Sequence, residues 1–232
     1  MSPSRNPAQA LVLFDIDGTL IRRSGPHHRE VLVEAVRRVT GIQASIDGIP
    51  VQGMLDRDII AQMMRNAGAS TRTIRAAMPE IVRRAQSMYV RRCPDLRRKV
   101  CPGVRTVLAR LTRRAVPLGL VTGNLTRIGW KKMEHAGLRS YFRFGAFAEL
   151  ARDRAGLVRI AIGEARRQGW IHAKSRITLI GDHPNDIHAA RRNGICAVAV
   201  ATGLSSEPEL AAHAPDLVLP DLRSLKLEML LE

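Results

Sequence analysis

Aromatic residues and cysteine are both scarce in this sequence, and each scarcity restricts how the chain can be stabilised. Aromatic residues make up only 3% of the 232 residues, so the core must be built mainly from aliphatic side chains. The three cysteines, Cys93, Cys101 and Cys196, have no regular spacing, which argues against a disulfide framework, although a Cys93–Cys101 bridge stays open. No run of about 18 apolar residues occurs, and the segment from Met1 to Ala10 is polar. We therefore expect a cytoplasmic protein with neither a membrane span nor a signal peptide.

Acidic residues are outnumbered by basic ones. The chain has 37 Lys and Arg and 21 Asp and Glu, which gives a formal net charge of +16. The arginines lie in pairs scattered along the chain, among them Arg37-Arg38, Arg83-Arg84 and Arg191-Arg192. A nucleic-acid binder concentrates its charge in one stripe and, for single strands, adds aromatic residues for base stacking. The scattered arginines are therefore more typical of solvent-exposed helix faces than of a protein whose main partner is a nucleic acid. The positive charge still attracts anionic substrates such as phosphates.

Short apolar runs alternate with amphipathic stretches over most of the chain. The continuous hydrophobicity of the apolar runs is typical of strands buried on both faces of a parallel sheet. The runs are Ala10 to Phe14, Val116 to Val121, Ile177 to Ile180, Ile195 to Val200 and Asp216 to Leu219. Helices are predicted between them at 104–111, 125–135, 156–168 and 184–192. This alternation predicts an α/β fold with a doubly wound, Rossmann-like parallel sheet.

One region, between about Ile21 and Lys99, breaks the alternation and has helical periodicity throughout. Ile60, Met63 and Met64 form an apolar stripe at helical spacing, and residues 74–89 have the pattern of a further helix. Helices placed between the first and second strands predict an inserted helical subdomain. We therefore assign 1–21 and 100–232 to an α/β core and 22–99 to an inserted α-helical cap domain.

The most specific pattern, Asp15-Ile16-Asp17-Gly18-Thr19, directly follows the first strand. Two carboxylates at the carboxyl end of a parallel strand face the crevice in which α/β proteins bind ligands. Gly18 permits a tight turn out of the strand, and paired acidic side chains can share a hard cation. The pattern therefore predicts a metal-binding strand end, against the alternative of a solvated Asp-Gly turn.

Two later strands end in polar groups of the same kind. The segment Thr122-Gly123-Asn124 leads from the second strand into a helix, where backbone N–H groups and a hydroxyl make an anion site, although it is also a reasonable helix N-cap. Asp182 and Asp186 follow the strand at 177–180. Because parallel strands end at the same edge of a sheet, the ordered set of three predicts one active site.

In this order and on these strand ends, the three motifs resemble those of the haloacid dehalogenase superfamily of hydrolases. The helical insertion resembles the family's helical cap, and Cys101-Pro102-Gly103-Val104 resembles the return into the core. Gly53-Met54-Leu55-Asp56, followed by Ile59, resembles a cap segment of the phosphoglycolate-phosphatase-like branch. The resemblance spans nearly the whole chain. It implies a Mg²⁺-dependent phosphatase acting on a small phosphorylated metabolite, with phosphoglycolate as the default substrate.

Family precedent implies a role for each motif residue. Asp15 would be the nucleophile that forms an aspartyl-phosphate, and Asp17 the general acid and base. Mg²⁺ would bind the Asp15 carboxylate, the Asp17 backbone carbonyl and Asp182, with Asp186 as a further ligand or water-holder. The phosphate oxygens would be held by residues of the first two motifs, namely Gly18, Thr19, Thr122, Gly123 and Asn124.

The chain departs from the family pattern at one position. The family normally carries a basic residue, most often lysine, before the last acidic motif, but no lysine lies between Lys132 and Lys174. Arg154 is our candidate substitute for binding phosphate, because it directly precedes a predicted helix and arginine can hold phosphate bidentately. Arg152 stays open as the alternative.

Single residues also bear on the other activities of this scaffold. Asp17 favours phosphoryl transfer over dehalogenation, and the absence of lysine from positions 21–98 argues against phosphonate hydrolysis. A phosphomutase, which shares both aspartates, stays an alternative, as does a non-catalytic or nucleic-acid-associated module. His27 and His28 are predicted to be solvent-exposed at a helix start, whereas substrate contact by His183 stays open. The oligomeric state is not readable from the sequence.

Overall fold

The computed structural model describes residues 8–22 and 25–231. Residues 1–7, on which most of the expectation of no signal peptide rests, lie outside the described residues. Arg23 and Ser24, next to the predicted domain boundary, lie outside them as well. Among the described helices, none is long and apolar enough to cross a membrane.

Six strands of the described chain form one parallel sheet in the order β3-β2-β1-β4-β5-β6. They are β1 (Ala8–Phe14), β2 (Leu118–Val121), β3 (Phe144–Ala146), β4 (Ile171–Gly181), β5 (Cys196–Val200) and β6 (Leu217–Leu219). The chain winds outward from β1 in one direction through β2 and β3, and in the other through β4 to β6. The carboxyl end of β1 is therefore the switch point at which doubly wound sheets bind ligands, and the predicted α/β fold is confirmed.

The sheet contains all five predicted strands and one that was not predicted. β4 begins at Ile171 rather than Ile177, and β2 begins at Leu118 rather than Val116. The missed strand, β3, pairs with β2 in the register Leu120↔Gly145. It has only three residues with a glycine at its centre, so its hydrophobic pattern is too short to be told from a loop.

The central strand β1 is buried on both faces, as its continuous hydrophobicity predicts. Leu11 and Leu13 pack into one hydrophobic cluster and Val12 and Phe14 into a second, because successive side chains of a strand point to opposite faces. The first cluster continues into the helices that follow β1, so core and insertion share one apolar interior.

Helices occupy both the connections between strands and the insertion after β1. They are α1 (His27–Thr40), α2 (Asp56–Asn66), α3 (Thr71–Arg92), α4 (Val104–Arg113), α5 (Thr126–His135), α6 (Arg154–Arg167), α7 (Pro184–Arg192), α8 (Glu207–Ala212) and α9 (Glu228–Leu231). The helices α1 to α3 lie between β1 and β2 and bury the stripe containing Ile60, Met63 and Met64. The two passages between insertion and sheet run side by side, because Ile21 and Val100 form an antiparallel bridge.

Candidate active site

Three buried carboxylates meet at the carboxyl edge of the sheet, at the switch point beside β1. Asp15 directly follows β1, Asp182 follows β4, and Asp186 lies in the first turn of α7. One carboxylate oxygen from each lies within 4.8 Å of the others. The structure therefore brings together the acidic residues of the first and third motifs. We call Asp15, Asp182, Asp186 and the arginine that contacts them the carboxylate cluster.

Close backbone approach and helix capping orient two of these carboxylates. Gly18 has φ +89°, and a Cβ built on it would lie 2.1 Å from Asp182 Oδ2, so only glycine fits there. The Thr19 hydroxyl donates to Asp182 Oδ1 at 3.1 Å. The His183 backbone N–H donates to Asp186 Oδ2 at 3.2 Å within the capping box of α7. Thr19, predicted to bind phosphate, is thus buried as a support for Asp182.

The arginine of the carboxylate cluster is Arg154. Its Nη1 donates to Asp15 Oδ1 at 3.0 Å and to Asp186 Oδ1 at 2.5 Å. The Asp153 side chain accepts from Gly156 N at 2.7 Å and caps α6, so this helix begins at Arg154 and delivers it to the site. Arg152, the alternative that the sequence left open, is exposed.

Negative charge exceeds positive charge in the carboxylate cluster. Burial, followed by repulsion from Asp186 and Asp17, raises the pKa of Asp15 from 3.8 to about 6, although Arg154 opposes the shift. Burial also raises the pKa of Asp182 and of Asp186. Buried carboxylates favour ionisation when a cation neutralises them, and a single guanidinium serves three of them here. Their oxygen atoms fit a hard divalent cation such as Mg²⁺.

Asp17 turns away from the carboxylate cluster and pairs with Lys132 of α5. Lys132 Nζ donates to Asp17 Oδ1 at 2.8 Å and Oδ2 at 2.6 Å, and to Asn124 Oδ1 at 2.7 Å. The Lys132 side chain is 0% exposed, whereas that of Asp17 is 39% exposed. Burial alone would raise the pKa of Asp17, but the Lys132 ammonium, His28 and the hydrogen bonds from Lys132 and Asn124 together outweigh burial and lower that pKa below its ordinary value.

The second motif and the insertion complete this arrangement, which we call the lysine cluster: Asp17, Lys132, Asn124 and His28. Asn124 Nδ2 donates to Asp17 Oδ2 at 2.8 Å and to Thr122 Oγ1 at 2.7 Å. His28 Nδ1 lies 3.2 Å from Lys132 Nζ. The ammonium thus connects the strand-end motifs to α1 of the insertion.

A second contact chain joins the insertion to the loop after β2. The Asp56 backbone N–H donates to Gly123 O at 2.8 Å, and Leu125 N donates to Asp56 Oδ2 at 2.8 Å. His28 Nε2 lies 2.9 Å from the same carboxylate oxygen. A Cβ on Gly123 would lie 2.2 Å from Met54 O, so glycine permits this close packing.

The prediction that His28 is solvent-exposed is wrong. Its side chain is 16% exposed, because the imidazole lies between Asp56 and Lys132 and packs edge-on against Tyr89 of α3. His27 is half-buried. His183 lines the cavity, and its Nδ1 accepts from Asn185 N at 3.1 Å as the N-cap of α7.

A cavity of about 1030 Å³ lies between the strand ends and the insertion. Eight of its lining residues are predicted site residues: Asp15, Asp17, Gly18, Thr122, Gly123, Asn124, Arg154 and Asp182. Arg154 Nε is buried and has no hydrogen-bond partner among the described residues. A buried unpaired donor costs free energy, so an anion in this cavity would satisfy it.

Our sequence reasoning did not single out Lys132, His28 or Asp56 as site residues. Lys132 follows Ile128 by one helical turn and lies on the buried face of α5 with Met133. A lysine on an apolar stripe indicates a buried charge that needs a partner. That signal was present in the sequence, whereas the partners of His28 and Asp56 depend on how the insertion packs.

The chain is similar to known proteins in both sequence and fold. The family model described as haloacid dehalogenase-like hydrolase matches residues 10–194. A phosphoglycolate phosphatase of Synechococcus elongatus is 32% identical over 50% of this chain, and the match spans 52% of that relative, about half its length. A phosphoglycolate phosphatase of Pseudomonas savastanoi pv. phaseolicola is 26% identical over 93% of this chain and 78% of the relative. The fold is similar to that of a β-phosphoglucomutase from Clostridium difficile, with TM-score 0.69, 17% identity and coverage of 95% and 94% of the two chains.

Proposed function

Because this chain belongs to the haloacid dehalogenase-like hydrolase family, we propose that it is a Mg²⁺-dependent phosphatase acting on a small phosphate monoester. Phosphoglycolate, the substrate in the names of two relatives, is the default candidate. The observation that carries the proposal is the position of Asp15. It lies buried beside Asp182, Asp186 and Arg154 at the edge of a cavity that Asp17 also lines. In this proposal residues 22–99 form the cap and 1–21 with 100–232 form the core.

The carboxylates of Asp15, Asp182 and Asp186 are the side chains that would hold Mg²⁺, with the Asp17 backbone carbonyl as a further ligand. The Asp17 side chain is occupied by Lys132. The ion would neutralise the excess negative charge of the carboxylate cluster and reduce repulsion between an anionic nucleophile and an anionic phosphate.

In the first step of the proposed reaction, an Asp15 oxygen attacks phosphorus, a new O–P bond forms, and the bond from phosphorus to the leaving oxygen breaks. Asp17 supplies the proton that the leaving oxygen takes up, which requires the negative charge of the bound substrate to raise the Asp17 pKa that Lys132 lowers in the free protein. In the second step Asp17 accepts a proton from water, whose oxygen attacks phosphorus. The bond between phosphorus and the Asp15 oxygen breaks, so inorganic phosphate leaves and Asp15 is again a carboxylate.

Phosphate binding in this proposal rests on the second motif and on Arg154. Thr122, Gly123 and Asn124 line the cavity on one side, and the unpaired Nε of Arg154 provides a charged donor. Gly18 leaves backbone open to the same space. Thr19 contributes indirectly, through its hydrogen bond to Asp182.

The proposal is tested by hydrolysis of p-nitrophenyl phosphate and phosphoglycolate by the wild type and Asp15→Asn, each with Mg²⁺ and with chelator. We expect activity that requires Mg²⁺ and falls by roughly 10⁴-fold or more in Asp15→Asn, because an amide oxygen is a poor nucleophile. Asp47→Asn, on an exposed loop, is the matched control and should retain activity. Equal activity of Asp15→Asn and wild type would refute the mechanism.

A further inference from the structure

Two imidazole rings are in contact on the surface of the protein, outside the active-site cavity. His188 lies in α7, and His213 directly follows α8. His188 Nε2 lies 3.2 Å from His213 Nδ1, and the two ring planes cross at 75°. The imidazoles of His135 and His172, by contrast, have oxygen atoms as their partners. The fold therefore brings two ring nitrogens, which are common ligands of transition metals, to one point of the surface.

Backbone contacts hold His213 beside α7. The His213 N–H donates to Leu210 O at 3.1 Å, which closes the turn at the end of α8. Arg191 Nη2 donates to His213 O at 3.0 Å and to Ala214 O at 2.7 Å. Arg191 lies three residues after His188, so both side chains are on one face of α7. The two imidazoles therefore extend toward each other from anchored backbone segments.

The separation of the two ring nitrogens is that of two ligands on one tetrahedral metal ion. With Zn–N bonds of about 2.0–2.1 Å, a tetrahedral angle places two ligand nitrogens about 3.3–3.4 Å apart. The observed distance between His188 Nε2 and His213 Nδ1 is 3.2 Å, so a small rotation of one side chain admits an ion. His188 is exposed and His213 is half-buried. An ion can therefore reach the pair from solvent, and water can supply its remaining ligands.

An ion at this point would replace the hydrogen bond that now joins the two rings. In that hydrogen bond one neutral imidazole donates its N–H and the other accepts. For metal binding, the donating ring carries its proton on its other ring nitrogen instead. Both imidazoles then bind the ion as neutral ligands, and no net proton is released. Binding thus requires a change of tautomer in one histidine and no change in charge.

The histidine pair is separate from the carboxylate cluster, although α7 contributes to both. Asp186 and His188 are two residues apart, which places their side chains about 200° apart around the helix. Accordingly, Asp186 is buried and His188 is exposed. The ligand atoms differ as well. Carboxylate oxygens suit Mg²⁺, whereas imidazole nitrogens suit Zn²⁺, Ni²⁺ and Cu²⁺.

We propose that His188 and His213 form a second metal site, which binds a transition-metal ion of the Zn²⁺ type and joins α7 to the end of α8. Because α7 also carries Asp186, the ion would restrain the helix that supplies one residue of the carboxylate cluster. The inference does not depend on the proposed phosphatase function, and metal binding rather than turnover tests it.

The test is calorimetric titration with Zn²⁺ in the presence of excess Mg²⁺. We expect the wild type to bind Zn²⁺ at the histidine pair, and His188→Gln and His213→Gln each to weaken that binding by about tenfold or more. The matched control is His172→Gln, which removes an imidazole whose ring nitrogen contacts Gln9 Oε1, and it should keep the wild-type affinity. Unchanged affinity in both pair variants, or an equal loss in the control, would overturn the assignment.

Asp182→Asn distinguishes the histidine pair from the carboxylate cluster. This variant should retain the Zn²⁺ affinity of the wild type, because Asp182 does not contact the pair. Loss of Zn²⁺ binding in Asp182→Asn, together with its retention in His188→Gln, would place the ion in the carboxylate cluster and overturn the proposal.

Thermal unfolding gives a second readout. Zn²⁺ should raise the melting temperature of the wild type and of His172→Gln, because an ion that binds the folded state stabilises it. It should raise that of His188→Gln and His213→Gln much less. Ni²⁺ should give the same pattern, since it also prefers imidazole ligands. A Zn²⁺-dependent rise of equal size in all four proteins would show that the ion binds elsewhere and would overturn the assignment.

Discussion

The carboxylate cluster and the lysine cluster are adjacent, yet their charge balance is opposite. In the first, Asp15, Asp182 and Asp186 share one buried guanidinium, and the pKa of Asp15 is raised to about 6. In the second, one carboxylate has a buried ammonium to itself, and the pKa of Asp17 is lowered. Two aspartates separated by a single residue therefore acquire different properties from their surroundings. The uncompensated negative charge of the carboxylate cluster suits a metal cation, whereas the pairing of Asp17 with Lys132 holds the Asp17 side chain in place.

Among the changes that compare the two clusters, replacing Asp17, the carboxylate of the lysine cluster, is expected to have the largest effect. Asp17→Asn should lower kcat by about 10²–10⁴-fold, because an amide can neither donate nor accept the transferred proton. Mg²⁺ should still raise the melting temperature of this variant, because the Asp17 side chain lies outside the carboxylate cluster. Asp182→Asn is the contrasting variant and should lose most of that Mg²⁺-dependent rise. Equal loss of the rise in both variants would contradict the division into two clusters.

The second effect is a pH dependence of opposite sign for the two aspartates. With chelator present, the wild-type stability relative to Asp15→Asn should fall by about 3 kcal/mol as pH rises from about 4 to 7, because a raised pKa favours the protonated carboxyl in the folded state. Relative to Asp17→Asn, wild-type stability should instead fall as pH drops below about 4, because a lowered pKa favours the carboxylate. Denaturant unfolding at several pH values measures both trends. Parallel trends would show that the two environments do not differ.

The smallest effect distinguishes two neighbouring lysines. Lys132→Met should cost about 1–3 kcal/mol of unfolding free energy, because Asp17, Asn124 and His28 all lose a charged donor. Lys131→Met is the matched control. Lys131 pairs with Glu134 near the surface, so its loss should cost about 0.5 kcal/mol or less. If the two variants have equal stability, the lysine cluster adds nothing beyond an ordinary surface pair.

Most of the fold was predictable because its signals are local. Continuous apolar runs identified the buried strands, and periodic stripes identified the helices that connect them. The short edge strand β3 (Phe144–Ala146) was missed because three residues carry too little pattern, and it forms only because β2 offers a free edge.

Much of the candidate site was also predictable, because motif residues sit at strand ends. The carboxyl ends of parallel strands meet at one edge, so the order of the motifs along the chain was enough to expect Asp15, Asp182 and Asp186 together. Arg154 was harder to choose, because Arg152 lies just two residues away. The Asp153 cap, which begins α6 at Arg154, determines which arginine is buried.

The sequence by itself determined the alternation of strands and helices and the acidic motifs at the strand ends, since short-range hydrophobic patterns and glycines encode these features. Only the tertiary structure decided that Asp17 pairs with Lys132 and that His28 is largely buried. These contacts join residues far apart in the chain, and they form when the insertion packs over the sheet edge. Their electrostatic consequences depend on burial and distance, which no local pattern of residues specifies.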